Sequence, residues 1–487
     1  MNPLDGLHRY ATTDDERLKL AGFERIRRRG RWSRVPGLLA ASVVVLVVAL
    51  LGAGVGIGLR RAQPPDAVAT VAPVSPAPNS SASPAVATPA AAVAVPLFRG
   101  LGLLAFATST IPLEVLDGTA GGLRRIDGPA TAQWSYDGSW LAYLQGSGTG
   151  PASELWLARA DGTGRQQVRG LPEYASVFVT WSPTDDVLAI VPQGGAAKPT
   201  AKGLWLVRPN ETATLLASGD ASVWDAAWSP DGQRLAYSLT LPFTDPIGRS
   251  DALFTISVRG GSPSQRLVAD NAGLLGIEWW PDGRGLLYYR DIQHSGSLLM
   301  DGVPFESLAL DGSRPSGAFP DQKLVSSGQW LDDHRFLADT GVARWPTTRK
   351  DVAICDIQAL TCAVMAQATG FVGLEPALSP DRTRIAFVRA RDTNAAGFSS
   401  VADADQWMAS RTLWILDLRT GQAREIPVAG RGVLQPAWSA DGNTLLLTRD
   451  RAAWLYDLRS DRAMQLIAPL DAATPFGGPG WTFAWHR

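Results

Sequence analysis

The sequence predicts an all-β chain: an eight-bladed β-propeller of four-stranded antiparallel blades, preceded by one transmembrane helix. Three observations carry this. A turn motif led by tryptophan recurs along residues 97–487, the two ends of that region hold complementary fragments of one further blade, and a single charge-free apolar run follows a basic N-terminal segment.

Composition fits before any motif is read. Charged residues are 19% of the 487, while 49 Gly and 34 Pro suit a turn-rich β-protein better than a helical bundle or a polar disordered chain. With 45 Lys and Arg against 46 Asp and Glu, the net charge of -1 argues against a nucleic-acid partner. Four His and two Cys leave no supply for a zinc cluster, and no metal or cofactor is expected.

Residues 1–35 form a basic segment expected in the cytoplasm, with Arg25, Arg27, Arg28, Arg29, Arg31 and Arg34 close to the apolar run. Residues 36–59 carry no charge and are long enough to cross a bilayer core of about 30 Å. The excess of Lys and Arg before the run puts the N-terminus inside and the remainder outside, a single-pass cell-membrane topology. A cleaved signal peptide with a processing site near Ala67 and Ala69 is the rival reading, but the basic and apolar segments are both too long for it. Residues 60–96, rich in Ala, Pro and Ser, form an extended stalk.

Seven repeat copies begin at Trp134, Trp181, Trp228, Trp279, Trp330, Leu378 and Trp438. The copy at Trp228 runs Trp-Ser-Pro-Asp-Gly; Pro presets φ and Gly takes a conformation that side chains resist, so the element is a tight reversal. An apolar strand follows, then one bearing Trp or Tyr among branched residues, then a short outer strand. Nothing after residue 60 shows helical periodicity. Residues 101–126 supply strands two to four of a blade whose first strand is missing, and residues 480–486 supply that strand, so the ring closes and hides its edges. This gives eight blades, or seven if the copy at Trp330, with its weak outer strand, is irregular.

Repeats of the form Trp-Ser-Pro-Asp-Gly, Leu-Ala-Tyr and Leu-Trp-Leu resemble those of the TolB-type WD-like β-propeller family, and the likeness covers residues 97–487. That family has six blades as a rule. The resemblance implies a membrane-anchored bacterial member of the cell envelope, among relatives that include periplasmic assembly components and the propeller domains of prolyl oligopeptidase-type peptidases.

Catalysis is not expected. No Gly-Xaa-Ser-Xaa-Gly element occurs, and His8, His294, His334 and His486 offer no convincing general base. Asp137, Asp231, Asp282, Asp333, Asp381 and Asp441, three places after each lead residue, read as turn-stabilising side chains, since equivalent positions on separate blades lie too far apart to share a calcium ion. The periodic Trp read as blade packing rather than a sugar-stacking array. Cys355 and Cys362 would face each other across a two-residue loop at Gln358 and Ala359 and form a local disulfide; two free buried thiols are the alternative.

Binding is expected on the loops that vary: residues 241–251, 291–304 and 389–411. Phe243, Phe305, Trp345, Phe398, Trp407 and Met408, rimmed by acidic residues, are the candidate contact residues for a protein or peptide partner in the cell envelope. The alternative is a glycan or small molecule, with or without chemistry, in the central channel.

Overall fold

The computed structural model describes residues 93–487, except 109–111, 128–129, 146–153, 195–201, 218–221, 242–249, 293–303, 342–346, 395–397, 399 and 469–480. The basic segment 1–35, the apolar run 36–59 and nearly all of the stalk therefore lie outside the described residues. Among the described residues no helix is long and apolar enough to cross a membrane.

The described chain is an eight-bladed propeller of antiparallel, four-stranded blades. Blade 1 is the composite one. Leu103–Thr108 pairs on one side with Glu114–Asp117 and on the other with Trp481–His486, so the last strand of the chain is hydrogen-bonded to nearly the first. Blades 2 to 8 follow in sequence. Blades 5 and 6 are joined, because Gly317–Trp330 runs 14 residues without a break, closing the outer edge of blade 5 and then opening blade 6 as its first strand. The copy at Trp330 is thus a full blade, with Thr361–Val364 as its outer strand.

Alternating side chains send each blade's apolar residues to both faces, and each face packs on a neighbour. The core is accordingly a circle of clusters, one per interface. Phe305 and Phe319 of blade 5 meet Phe336 of blade 6, and Trp407 and Leu413 of blade 7 meet Trp438 and Leu447 of blade 8. The closing interface sets Leu446, Leu455 and Leu466 of blade 8 against Phe98, Leu104 and Phe106 of blade 1. Val93 pairs with Ile467 and Ala94 N donates to Leu466 O at 2.8 Å, so the entering chain straps the same seam.

The periodic Trp also hold the ring by hydrogen bonds. Each indole donates to the blade before it: Trp134 Nε1 to Ala484 O (2.9 Å), Trp181 to Gln133 O (3.2 Å), Trp228 to Thr180 O (3.0 Å), Trp279 to Ala227 O (3.0 Å) and Trp438 to Ala377 O (2.9 Å). Trp330 uses the carboxylate of Glu278 instead, at 2.6 Å. Arginines reinforce two joints. Arg234 lies over the Trp279 ring at 4.7 Å and donates to Gly283 O at 2.8 Å; Arg384 does the same to Trp438 and Gly442 O at 4.8 and 2.9 Å.

Turn aspartates act on their own backbone. Ser229 Oγ and Gln233 N both donate to Asp231 Oδ1, at 2.5 and 3.0 Å, and these bonds hold its pKa below the usual carboxylate value. Asp137, Asp381 and Asp441 repeat the arrangement. The copy at Trp330 departs from the expectation. There Asp332, not Asp333, accepts the amides of His334 and Arg335, because this turn is one residue shorter.

Among the described residues one α-helix interrupts the β-structure, contrary to the all-strand expectation: α1, Val401–Ala409, between the second and third strands of blade 7. Ser400 caps it by accepting the amide of Asp403. Ala404 and Trp407 turn inward, which is the short helical spacing that a scan for long periodic runs passes over.

Candidate functional site

Consecutive strands reverse direction, so loops between second and third strands share a face with the connections from blade to blade. On that face a cleft of about 330 Å3 opens between blades 7 and 8. Its walls are Asp405, Met408 and Ala409 of α1, Gly432 of the connection, Leu434 at the start of the first strand of blade 8, and Thr448, Arg449, Asp450 and Arg451 of a hairpin in the same blade.

The walls are fixed before any partner arrives. Trp407 is 6% exposed; its indole donates to Arg391 O at 2.9 Å, Phe398 lies 5.7 Å from it ring to ring, and Arg411 stacks on it at 5.3 Å. These contacts pin α1 so that its opposite edge, with Asp403, Asp405 and Gln406, faces solvent. The hairpin opposite reverses through Asp450 and Arg451 alone, between the paired residues Arg449 and Ala452. Both have left-handed φ, 52° and 58°, where Asn-Gly is the usual solution. Arg449 Nη1 donates to Ala429 O, and its guanidinium lies 3.8 Å over the Trp454 ring.

Charges alternate around the opening. Asp405 stands on α1, Asp450 and Arg451 on the exposed hairpin, and Arg449 below them with its side chain 13% exposed. Met408 and Leu434 supply the half-buried apolar floor.

The expected contact residues are not brought together as one patch. Phe243 and Trp345 lie outside the described residues. Phe305 is a correction: it is fully buried, with ring centroids 5.0 Å from Tyr289 and 5.6 Å from Phe336, because its strand begins at Pro304 and the ring already belongs to the interface of blades 5 and 6. Trp407 is likewise an anchor rather than a surface contact, Phe398 is half-buried against it, and of the four described residues Met408 alone lines the cleft. Sequence reasoning missed Arg449, Asp450 and Arg451. The signal was a strand pair joined by two residues with neither Gly nor Asn between them.

A second polar cluster runs across blades 6, 7 and 8. Arg411 Nη2 donates to Glu375 Oε1 at 2.5 Å, and Glu375 Oε2 accepts Gln435 N at 2.7 Å. Lys350 is 1% exposed, and burial, opposed by the charge of Asp339, pushes its pKa down to about 8. Burial and then the charge of Glu375 push Asp339 well up. The bonds of Glu375 to Arg411 and to Gln435 N join blades 7 and 8.

Cys355 and Cys362 are joined, S–S 1.94 Å, as directly opposed residues of one hairpin. The turn takes residues 357–360, with Asp356 Oδ1 accepting the amide of Gln358 at 2.7 Å. His334 Nδ1 lies 3.2 and 2.8 Å from Asp332 and Asp333, and this trio is close enough to share an ion. Arg335 and Arg314 already pair with the two carboxylates, at 2.6 and 3.0 Å, so the group is neutralised within the protein.

No family model and no curated protein matches the chain. Solved structures do. A puromycin-hydrolyzing peptidase of Mycobacterium tuberculosis matches 71% of this chain and 54% of its own, at 13% identity and TM-score 0.46. Prolyl endopeptidases match 71% and 51%, at 10% identity and TM-score 0.45. An oligogalacturonate lyase in complex with manganese matches 70% and 88%, at 15% identity and TM-score 0.41. The chain spans about half the length of the two peptidase structures. The expectation of a non-enzyme is corrected by this finding and withdrawn: it rested on missing motifs, and propellers of this kind occur in proteins described as enzymes.

Proposed function

We propose that the propeller is a binding scaffold for a protein or peptide partner, presented in the cell envelope by the anchor read at residues 36–59 and the stalk that follows. The partner meets the face carrying α1. One observation carries the reading: the cleft of about 330 Å3 between α1 and the hairpin at Arg449 to Ala452, whose walls are fastened from behind by Trp407 and Arg449. A surface set in advance loses little ordering entropy on docking. The TolB-type repeat pattern supports an envelope setting.

The test places a photoreactive residue at Asp405 in the full chain, in intact cells, with Asp185 on the opposite face as the control. Asp185 lies beside a different cleft, of about 380 Å3, between blades 3 and 4. A discrete protein adduct from position 405 and none from 185 is the expected result. Equal labelling from both faces, or no protein adduct from 405, overturns the proposal.

A further inference from the structure

Two buried donors beside this cleft have no acceptor. Arg449 Nε makes no hydrogen bond among the described residues, although Asp450 Oδ2 lies 3.2 Å away off its axis. Trp454 Nε1, in the ring beneath the same guanidinium, is also buried and without an acceptor. A buried N–H left unpaired costs roughly 1–3 kcal/mol, so such groups are normally satisfied. Trp454 is not one of the cleft walls, but Arg449 is, so an incoming acceptor meets the 13% of that side chain left exposed rather than the buried Nε itself.

We infer that the cleft recognises a carboxylate next to an apolar side chain in a peptide segment of the partner. The inference rests on the scaffold reading above and names the chemistry that the partner brings. Arg449 and Arg451 would hold the carboxylate, and charge-assisted pairing of this kind is about twice as strong as a neutral bond. Met408 and Leu434 take the apolar neighbour. Asp405 and Asp450 select against a polyanion: they balance the two arginines, so the cleft as a whole has no net pull on a chain that carries a negative charge at every unit. An oligouronate is therefore disfavoured, and a peptide with one carboxylate among neutral or basic residues is favoured. The paired left-handed residues Asp450 and Arg451 fit this role, since a conformation costing about 1–3 kcal/mol per residue persists where the surroundings, or a task, fix it.

The test is selection of short random peptides on the full chain in detergent, with a free oligouronate as competitor. Selected peptides should be enriched in Asp or Glu beside Leu, Met or Phe. Changing that acid to its amide should weaken binding about tenfold. Arg449→Gln should abolish the enrichment. Because Arg449 is largely buried, the double variant Asp450→Asn with Arg451→Gly is the second probe: it gives the hairpin its preferred residues, keeps the fold, and should also weaken the selected peptides. Selection without acidic enrichment, affinity unchanged in the double variant, or displacement of the peptides by the oligouronate each overturns the inference. A protein adduct at position 405 together with any of these would leave the scaffold reading standing and remove only the carboxylate.

Discussion

Gln329 reaches from blade 6 to the backbone on either side of Ala377, donating to Pro376 O at 3.0 Å and accepting the amide of Leu378 at 2.6 Å. Leu378 is the one lead position among the seven copies that lacks an indole. The side chain before the lead Trp of one blade thus makes good the bond that the next blade has lost. Gln329→Leu should cost about 2–3 kcal/mol, since two bonds go and a part-buried amide is stranded. Gln329→Glu, which keeps the acceptor, should cost about half. Equilibrium denaturation of the three proteins checks the order, and equal stability of all three would refute the bridge.

Asp225 of blade 4 binds the next blade, accepting Ile277 N at 2.9 Å. Burial of its carboxyl pushes the pKa up to about 6 against the hydrogen bonds from Ile277, Ala226 and Gly276. A raised carboxyl pKa means that the folded state holds the proton more tightly than the unfolded chain between about pH 4 and 6. The stability from this group is therefore full below pH 4 and is lost as pH rises through 6. Asp225→Asn should flatten that part of the melting-temperature profile, by a difference of about 3 kcal/mol across the window. Parallel profiles for the two proteins would contradict it.

The disulfide of Cys355 and Cys362 closes a short loop, so its contribution is about 2–3 kcal/mol through the unfolded chain. Protein denatured without reductant should titrate no thiol. With reductant it should titrate both cysteines and melt earlier. Two thiols before reduction would mean that the bond does not form.

Trp407 and Asp405 are two residues apart on α1, yet they should answer differently. Trp407→Ala removes a core side chain and should cost about 3–5 kcal/mol. Asp405→Lys, on the exposed edge, should leave stability within about 0.5 kcal/mol. Capture of the partner at the cleft should suffer from the lysine variant at unchanged melting temperature. A stable Trp407→Ala protein would return that residue to the surface role read from the sequence.

Much of the ring was legible because repetition amplifies weak local signals. A lone Trp-Ser-Pro-Asp-Gly is only a turn, but its return after near-constant intervals fixes the blade, and the unmatched ends at Leu103 and Trp481 fix closure. What escaped were departures from the repeat. Phe305 was read as a contact residue beside the loop 291–304, but its strand already begins at Pro304 and carries the ring into the blade interface. Helix α1 is too short for periodicity to reveal it. Asp332 displaced Asp333 because that turn is a residue shorter. The hairpin at Asp450 has neither the Gly nor the Asn that usually marks a two-residue reversal, and a lone Asp between arginines is too weak a signal to place it.

The unbroken strand Gly317–Trp330 welds two sectors of the annulus, so the eight plates have seven joints at which neighbours can part without tearing a shared backbone. Thermal breathing should then distribute unevenly around the circle. Amide deuteration and protease nicking should spare the junction near Phe319 and Phe336 and fall instead at the ring-closing seam, where Trp481–His486 is joined to Leu103–Thr108 by pairing and packing rather than by a shared strand.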